Sequence, residues 1–338
     1  MSSKSPWAPA LLAVTVATSA AAQVTTVVAN VGYQSPRLVA PAILLYRLAG
    51  SGRDAWTLAV VGATVGAEHS RNASPVLATV VRAEVAVFNA NSSDYIYRNG
   101  QRDTAGEFRD RSVRLSAGLR RQQGRYWRTD VRAIGLYEAV AGLADAAVTA
   151  RWREPYLGLS VETNYQRVIA DDVFQGRWDG LKMSGSVLGF LGARAWWKSQ
   201  LAMGAGKTLG RGRVNLRARA WVLLGDNLDL VNQHLVGGCW DLAAGPALYG
   251  YHYAEFRIRR ALVLGGGADV RFAGTWELGL RVGYLNGPSQ VTYGEAVRLS
   301  TVWQGIGIQA GVGFPRAGFL HRKPAEPLLF AAVTAGVL

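Results

Sequence analysis

The stretch Gly212-Arg213-Val214-Asn215-Leu216-Arg217-Ala218-Arg219-Ala220-Trp221-Val222-Leu223-Leu224 alternates between two kinds of side chain. Val214, Leu216, Ala218, Ala220 and Val222 form one set; Asn215, Arg217, Arg219 and Trp221 form the other. Successive side chains of a strand point to opposite faces, so this run predicts a strand with one oily and one basic face. The pattern returns after a long loop, at Ala254–Ile258 and again at Trp276–Tyr284. A sheet in water turns its oily face inward. A barrel in lipid turns it outward and lines its lumen with the polar one.

The same period runs through much of the chain. Arg37–Leu48, Trp56–Val65, Val80–Phe88, Val113–Arg120, Tyr126–Tyr137, Tyr156–Arg167, Gly180–Leu191, Trp196–Leu209, Ile306–Phe314 and Pro327–Leu338 read as strands. Asn89–Asp110 reads as a long polar loop, and Gln123-Gly124 as a tight turn. Ala139–Ala147 is the stretch with helical character. The faces opposite the oily ones carry Arg82, Glu84, Arg114, Arg132, Glu162, Arg217, Arg219, Glu255, Arg257, Arg259, Glu277 and Arg281. So many mid-strand charges do not suit a dry core, but they suit a wet lumen. Aromatic residues gather near strand ends, at Tyr126-Trp127, Trp196-Trp197, Trp240 and Tyr249–Tyr253, where a membrane barrel places its girdles.

The expected fold is therefore all-β, a transmembrane antiparallel β-barrel of about 16 strands in the bacterial outer membrane. Residues 1–22 read as a cleaved signal peptide: Lys4, the apolar run Ala8–Val16, and small residues up to Ala22. The barrel is expected as one domain over 23–338. Cys239 is the one cysteine of the 338 residues, so no internal disulfide supports the fold. The net charge of +14 favours phosphate-bearing partners. After export the partners are outer-membrane lipid or acidic polysaccharide, and nucleic acid is not expected. The expected form is a monomer, and no protein or lipid client can be named.

Catalytic motifs fail on spacing. Gly204-Ala205-Gly206-Lys207-Thr208 imitates the end of a phosphate-binding loop, but Leu201 stands where the first glycine is required. No G-x-S-x-G elbow occurs, and His69, His234, His252 and His321 lack metal-ligand spacing. No catalytic residue, cofactor or metal is expected.

Leu235-Val236-Gly237-Gly238-Cys239-Trp240-Asp241-Leu242, then Ala247-Leu248-Tyr249-Gly250-Tyr251, then Ala254–Arg260, resembles the C-terminal barrel of the bacterial surface-antigen superfamily. That superfamily includes outer-membrane assembly factors and the barrels of patatin-like phospholipases. The resemblance implies that Gly237-Gly238 opens a loop folded back into the lumen, followed by a strand at Tyr253–Ala261. In the family an Arg-Gly-aromatic tip docks on charged groups of the wall; here Tyr249 stands in place of that arginine. The resemblance covers about the last third of the chain and implies a barrel alone. Lumen and loop candidates are Arg217, Arg219, Gly237, Gly238, Trp240, Tyr249, Gly250, Tyr251, Glu255, Arg257, Arg259 and Arg281. Three functions follow as expectations. One is a surface-antigen-type barrel in protein or lipid transfer, or a scaffold, with its lumen partly plugged by 226–249. A second is an anion-biased diffusion channel; the third is a barrel-wall hydrolase, disfavoured by the motifs.

Overall fold

The computed structural model describes residues 23–337 except 25–26, 35–36, 40–42, 50–53, 62–63, 87–96, 99–100, 104–107, 143–151, 173–176, 211–212, 239–245, 253–254, 289, 305 and 317–326. The signal-peptide segment, Trp240 and Tyr253 lie outside the described residues. The first strands are β1 (Gln23–Val24), β2 (Val27–Gln34), β3 (Arg37–Val39), β4 (Ile43–Ala49), β5 (Asp54–Val61), β6 (Thr64–Ser74) and β7 (Leu77–Ala86). After a small hairpin of β8 (Tyr97–Arg98) and β9 (Gln101–Arg102) come β10 (Phe108–Gln123), β11 (Trp127–Gly142), β12 (Trp152–Asp172), β13 (Arg177–Leu191), β14 (Trp196–Leu209) and β15 (Val214–Asp226). A second small pair, β16 (His234–Val236) and β17 (Phe256–Ile258), precedes β18 (Ala261–Ala273), β19 (Trp276–Gly287), β20 (Gln290–Trp303), β21 (Ile306–Arg316) and β22 (Leu328–Val337).

Eighteen of these strands form one antiparallel sheet. From β4 to β22, each strand pairs with the next large strand in the chain. At the other end, β2 pairs with β3 through Gln34↔Arg37 and with β22 from Val27↔Val337 to Gln34↔Phe330. Connections alternate between the two ends of the sheet. Short turns at Gly124–Tyr126 and Gly274-Thr275 occupy one end. The long connections β7 to β10 and β15 to β18 leave from the other.

The alternation read from the sequence sets the two faces. Leu157 is 74% exposed and Leu216 44%, as part of a continuous outward set that includes Leu115, Val187, Leu201, Leu280 and Val333. The opposite face is buried and polar: Arg217 is 6% exposed, and Ser116, Asp130, Arg132, Ser160, Asn215, Asp269, Glu277, Arg281 and Arg298 join it. Exposed aromatics mark both rims. Trp56, Tyr126, Trp276 and Trp303 lie at the short-turn end, and Tyr137, Trp197 and Tyr293 lie toward the long-loop end.

Three expectations need correction. Ala254–Ile258 is not a wall strand: Phe256–Ile258 pairs with His234–Val236 in a separate two-stranded sheet. Its alternation is real, but Phe256 packs on the wall's buried face instead of meeting solvent or lipid. Ala139–Gly142 completes β11 instead of starting a helix, because its backbone pairs in register with Phe108–Arg111. Asn89–Asp110 ends earlier than expected, since β10 begins at Phe108, which is fully buried. The wall strand Ala261–Ala273 is hidden in the sequence because Gly265-Gly266-Gly267 interrupts its side-chain pattern.

Candidate functional site

The described residues of the connection from β15 to β18 lie on the buried face of the sheet and touch strands from β10 round to β22. At its start, Leu228 joins Ile134, Tyr156, Phe190 and Trp196 in an apolar cluster drawn from β11 to β14. Val236, Leu248, Tyr251 and Phe256 pack with Leu223, Ala261, Val263 and Leu285 of β15, β18 and β19. Tyr249 and Ala247 rest on Ala296, Phe330 and Ala332 of β20 and β22. Polar contacts reach further round. Arg257 sits 4.9 Å above the Phe108 ring of β10 and donates from Nη1 to the Leu230 carbonyl at 2.9 Å. Asn232 Nδ2 donates to Glu138 Oε2 of β11 at 3.2 Å, and Lys198 Nζ of β14 donates to the Asn232 carbonyl at 3.3 Å.

Glycines make this docking possible. Gly237 and Gly238 have φ of 134° and 99°, and the Gly238 amide donates to the Tyr251 carbonyl at 3.2 Å. Gly250 has φ of 83°, and a Cβ there would fall on the Phe314–Pro315 peptide of β21. The turn is thus open only to a residue without a side chain. The Tyr251 hydroxyl, 3.2 Å from the Tyr293 carbonyl, also bonds Thr292 Oγ1, which fixes the tip to β20.

Beneath the tip the wall carries a buried ionic cluster. Arg281 Nη2 donates to both carboxylate oxygens of Asp269, at 2.7 and 2.8 Å. Arg217 Nη2 donates to Oδ2 at 2.7 Å, and Arg298 Nη2 to Oδ1 at 3.0 Å. Arg298 also donates from Nη1 to Gln309 Oε1 at 2.9 Å. Three guanidinium groups on one carboxylate make these bonds charge-assisted, which holds the side chains firmly. A second cluster joins β6, β7, β10 and β11. Arg120 bonds Glu68 and Asp130, each at 2.9 Å, and Arg132 bonds Asp130 at 2.6 Å.

Titration in the loop follows from burial. Desolvation raises the Glu255 carboxyl to about 7, partly offset by the His252 amide donating to Oε2 at 2.8 Å. Burial lowers the imidazole of His234, against the pull of its hydrogen bond to the Leu224 carbonyl at 2.9 Å. Burial likewise raises the Tyr251 phenol.

Among the sequence candidates, Arg217 and Arg281 meet at Asp269, while Gly237, Gly238, Tyr249, Gly250, Tyr251, Glu255 and Arg257 belong to the docked loop. Arg219 lies on the same face as Arg217, alongside Gly204 of β14. Arg259 is exposed in the bend before β18. Asp269 and Arg298, which complete the ionic cluster, were not among those candidates. The partner of Arg217 and Arg281 lay in the strand that the glycines concealed.

No known protein family matches the sequence, and no curated protein matches it. Solved structures do. CdiB from Acinetobacter baumannii aligns over 92% of this chain and 59% of its own, at 10% identity and a TM-score of 0.59. BamA from Haemophilus ducreyi lacking POTRA domains 1–3 aligns over 93% and 71%, at 10% identity and a TM-score of 0.61. CdiB from Escherichia coli aligns over 92% and 63%, at 12% identity and a TM-score of 0.52. The chain thus spans less than two thirds of either CdiB. At this level of identity the likeness is one of fold, and the chain shares the fold of the outer-membrane β-barrels of BamA and CdiB.

Proposed function

We propose that the chain closes into a 16-stranded barrel in the bacterial outer membrane, with the segment between β15 and β18 as an internal plug. Its role would be non-enzymatic: a surface-antigen-type barrel in protein or lipid transfer, or a closed scaffold. Closure is supported by the pairing of β2 with β22, which brings the two ends of the sheet together. Counting β1 with β2 and β3 with β4 as two interrupted strands, the eighteen segments make sixteen crossings (18 − 2). A ring leaves no unpaired edge, which a strand in lipid requires.

Membrane residence is supported by the outward face. Leucine and valine on nearly every strand form an apolar surface that a water-soluble monomer would not expose. The aromatic rims and the difference between short and long connections fit outer-membrane barrels. Lipid is then the partner of the outer face, and a monomer suffices because each strand is already paired.

The observation that carries the plug reading is the docked tip: Tyr249, Gly250 and Tyr251 are seated on β20, β21 and β22 while Leu228 is seated on β11 to β14. A segment fixed on opposite walls obstructs the space between them. Single-channel recording of the refolded protein in planar bilayers tests this. The intact chain should give little steady current. A chain with 228–258 replaced by a Gly-Ser linker should conduct, with anions favoured by the wall arginines. A large steady current from the intact chain, unchanged in the variant, would leave an anion-biased diffusion channel as the function.

A further inference from the structure

Between the plug and the wall formed by β10, β12, β13 and β14 lies a cavity of about 260 Å³, lined by both polar and apolar side chains. Arg114 enters it from β10, Ser160 and Glu162 from β12, Lys198 and Gln200 from β14, and His234 from the loop. Liquid water occupies about 30 Å³ per molecule, so the space equals roughly nine waters. It suits a small solute better than a structural water.

The lining has a chemical bias. Two cations converge on the cavity from different strands, while its lining carries one carboxylate, Glu162. Arg114 lies 3.8 Å from Glu84, and Lys198 is held by the Asn232 carbonyl and by the Trp196 ring at 5.9 Å. Both cations are therefore positioned before any solute arrives. The Ser160 hydroxyl is the independent sign. Ser160 is 2% exposed, and its Oγ has no hydrogen-bond partner among the described residues. A buried hydroxyl left open costs stability unless something meets it.

We propose that this cavity is a binding site for a small hydroxylated anion, a solute bearing one phosphate or carboxylate group together with alcohol groups. Arg114 and Lys198 receive the anionic oxygens, with Ser160 donating to the same group. Glu162 and Gln200 accept from the alcohols. The site does not depend on movement of the plug, so it stands apart from the transfer role.

Calorimetric titration of the full chain, refolded in detergent micelles, tests the site with three probes: glycerol 3-phosphate, inorganic phosphate and glycerol. Glycerol 3-phosphate should bind saturably at one site, phosphate more weakly, and glycerol not at all. Arg114→Gln and Lys198→Met should each weaken binding on the order of tenfold, as loss of a charge-assisted hydrogen bond does. Ser160→Ala keeps the assay decisive if a charge variant fails to fold, since it removes a hydroxyl that no described group needs. It should fold with an unchanged or higher unfolding midpoint and still bind several-fold more weakly. Absence of saturable binding by glycerol 3-phosphate and phosphate would overturn the proposal. So would a Ser160→Ala protein that gains stability and binds as tightly as the parent.

Discussion

The carbonyl oxygen of Tyr249 occupies the position that a Cβ on Gly294 would take. Gly294 sits in β20 between Gly283 of β19 and Pro315 of β21, and the tip of the docked loop fills the recess that the two glycines leave. Valine at 294 suits a strand but denies the tip its seat. Gly294→Val should therefore fold and insert, shown by retained heat-modifiable gel mobility, while trypsin cuts faster at Arg257, Arg259 and Arg260. If cleavage is no faster than in the parent, the tip is not held by this contact.

Asp269 is fully buried and gathers Arg217, Arg281 and Arg298. Removing one partner of a buried ion pair leaves the others in a poorly solvated site, at a typical cost of about 3–5 kcal/mol. Asp269→Asn keeps the shape and removes the charge. Its urea unfolding midpoint in micelles should fall with the slope unchanged, the product of the two giving a loss of that order. A shift below about 1 kcal/mol would mean that water already screens the cluster.

Adjacent positions of β15 should respond differently to charge. Leu216 belongs to the outward set and Arg217 to the buried one. Leu216→Arg should cost about 2–4 kcal/mol in phospholipid vesicles if it lies near the bilayer midplane. Arg217→Leu is not neutral, because Arg217 bonds Asp269 at 2.7 Å. With Arg281 and Arg298 still on Asp269, its loss should cost about 1.5–3 kcal/mol, the range for a hydrogen bond to a charged group. Equilibrium refolding of both variants into vesicles reads the two costs. An arginine at 216 without cost would place that face away from lipid.

The faces were legible in the sequence because a period of two needs only the contrast of side chains along one strand. Leu216 against Arg217, or Leu157 against Ser160, shows this without knowledge of neighbours. Trp196–Leu209 was read with the bounds that the structure gives it. What stayed hidden depends on pairs distant in the chain. Asp269 gives no local sign that it will meet Arg217, 52 residues away. Gly265-Gly266-Gly267 erased the contrast in its strand. The stretch Phe256–Ile258 misleads for the opposite reason: it alternates, but both of its sides meet protein. Ser160 has no local mark either: Ser186 and Ser199 share its cavity and Ser300 shares its partnerless buried hydroxyl, and it is the serine among the described residues that has both.

Glu255 and His234 give the docked loop a pH dependence of definite sign. Burial raises Glu255 from an ordinary value near 4.5 to about 7. Between these values the unfolded chain has released its proton while the folded one retains it. The folded state then binds more protons, so stability falls as pH rises through this window. Below it Glu255 imposes no penalty, and above it the full penalty persists. His234 acts oppositely, since burial lowers it from 6.5. Below that ordinary value the unfolded chain takes up a proton that the folded one resists, so stability rises with pH up to about 6.5. The two slopes partly cancel in the intact protein. Glu255→Gln separates them: it retains an acceptor for the His252 amide and cannot ionise. Other titrating groups are common to both proteins and drop out of the difference between them. Unfolding midpoints of parent and variant, measured from pH 4 to 8, should therefore diverge steadily between about pH 4.5 and 7, with the variant gaining, and run parallel above. A difference that stays flat across the whole range would show that Glu255 titrates at its ordinary value, and hence that water reaches the segment between the plug tip and β17.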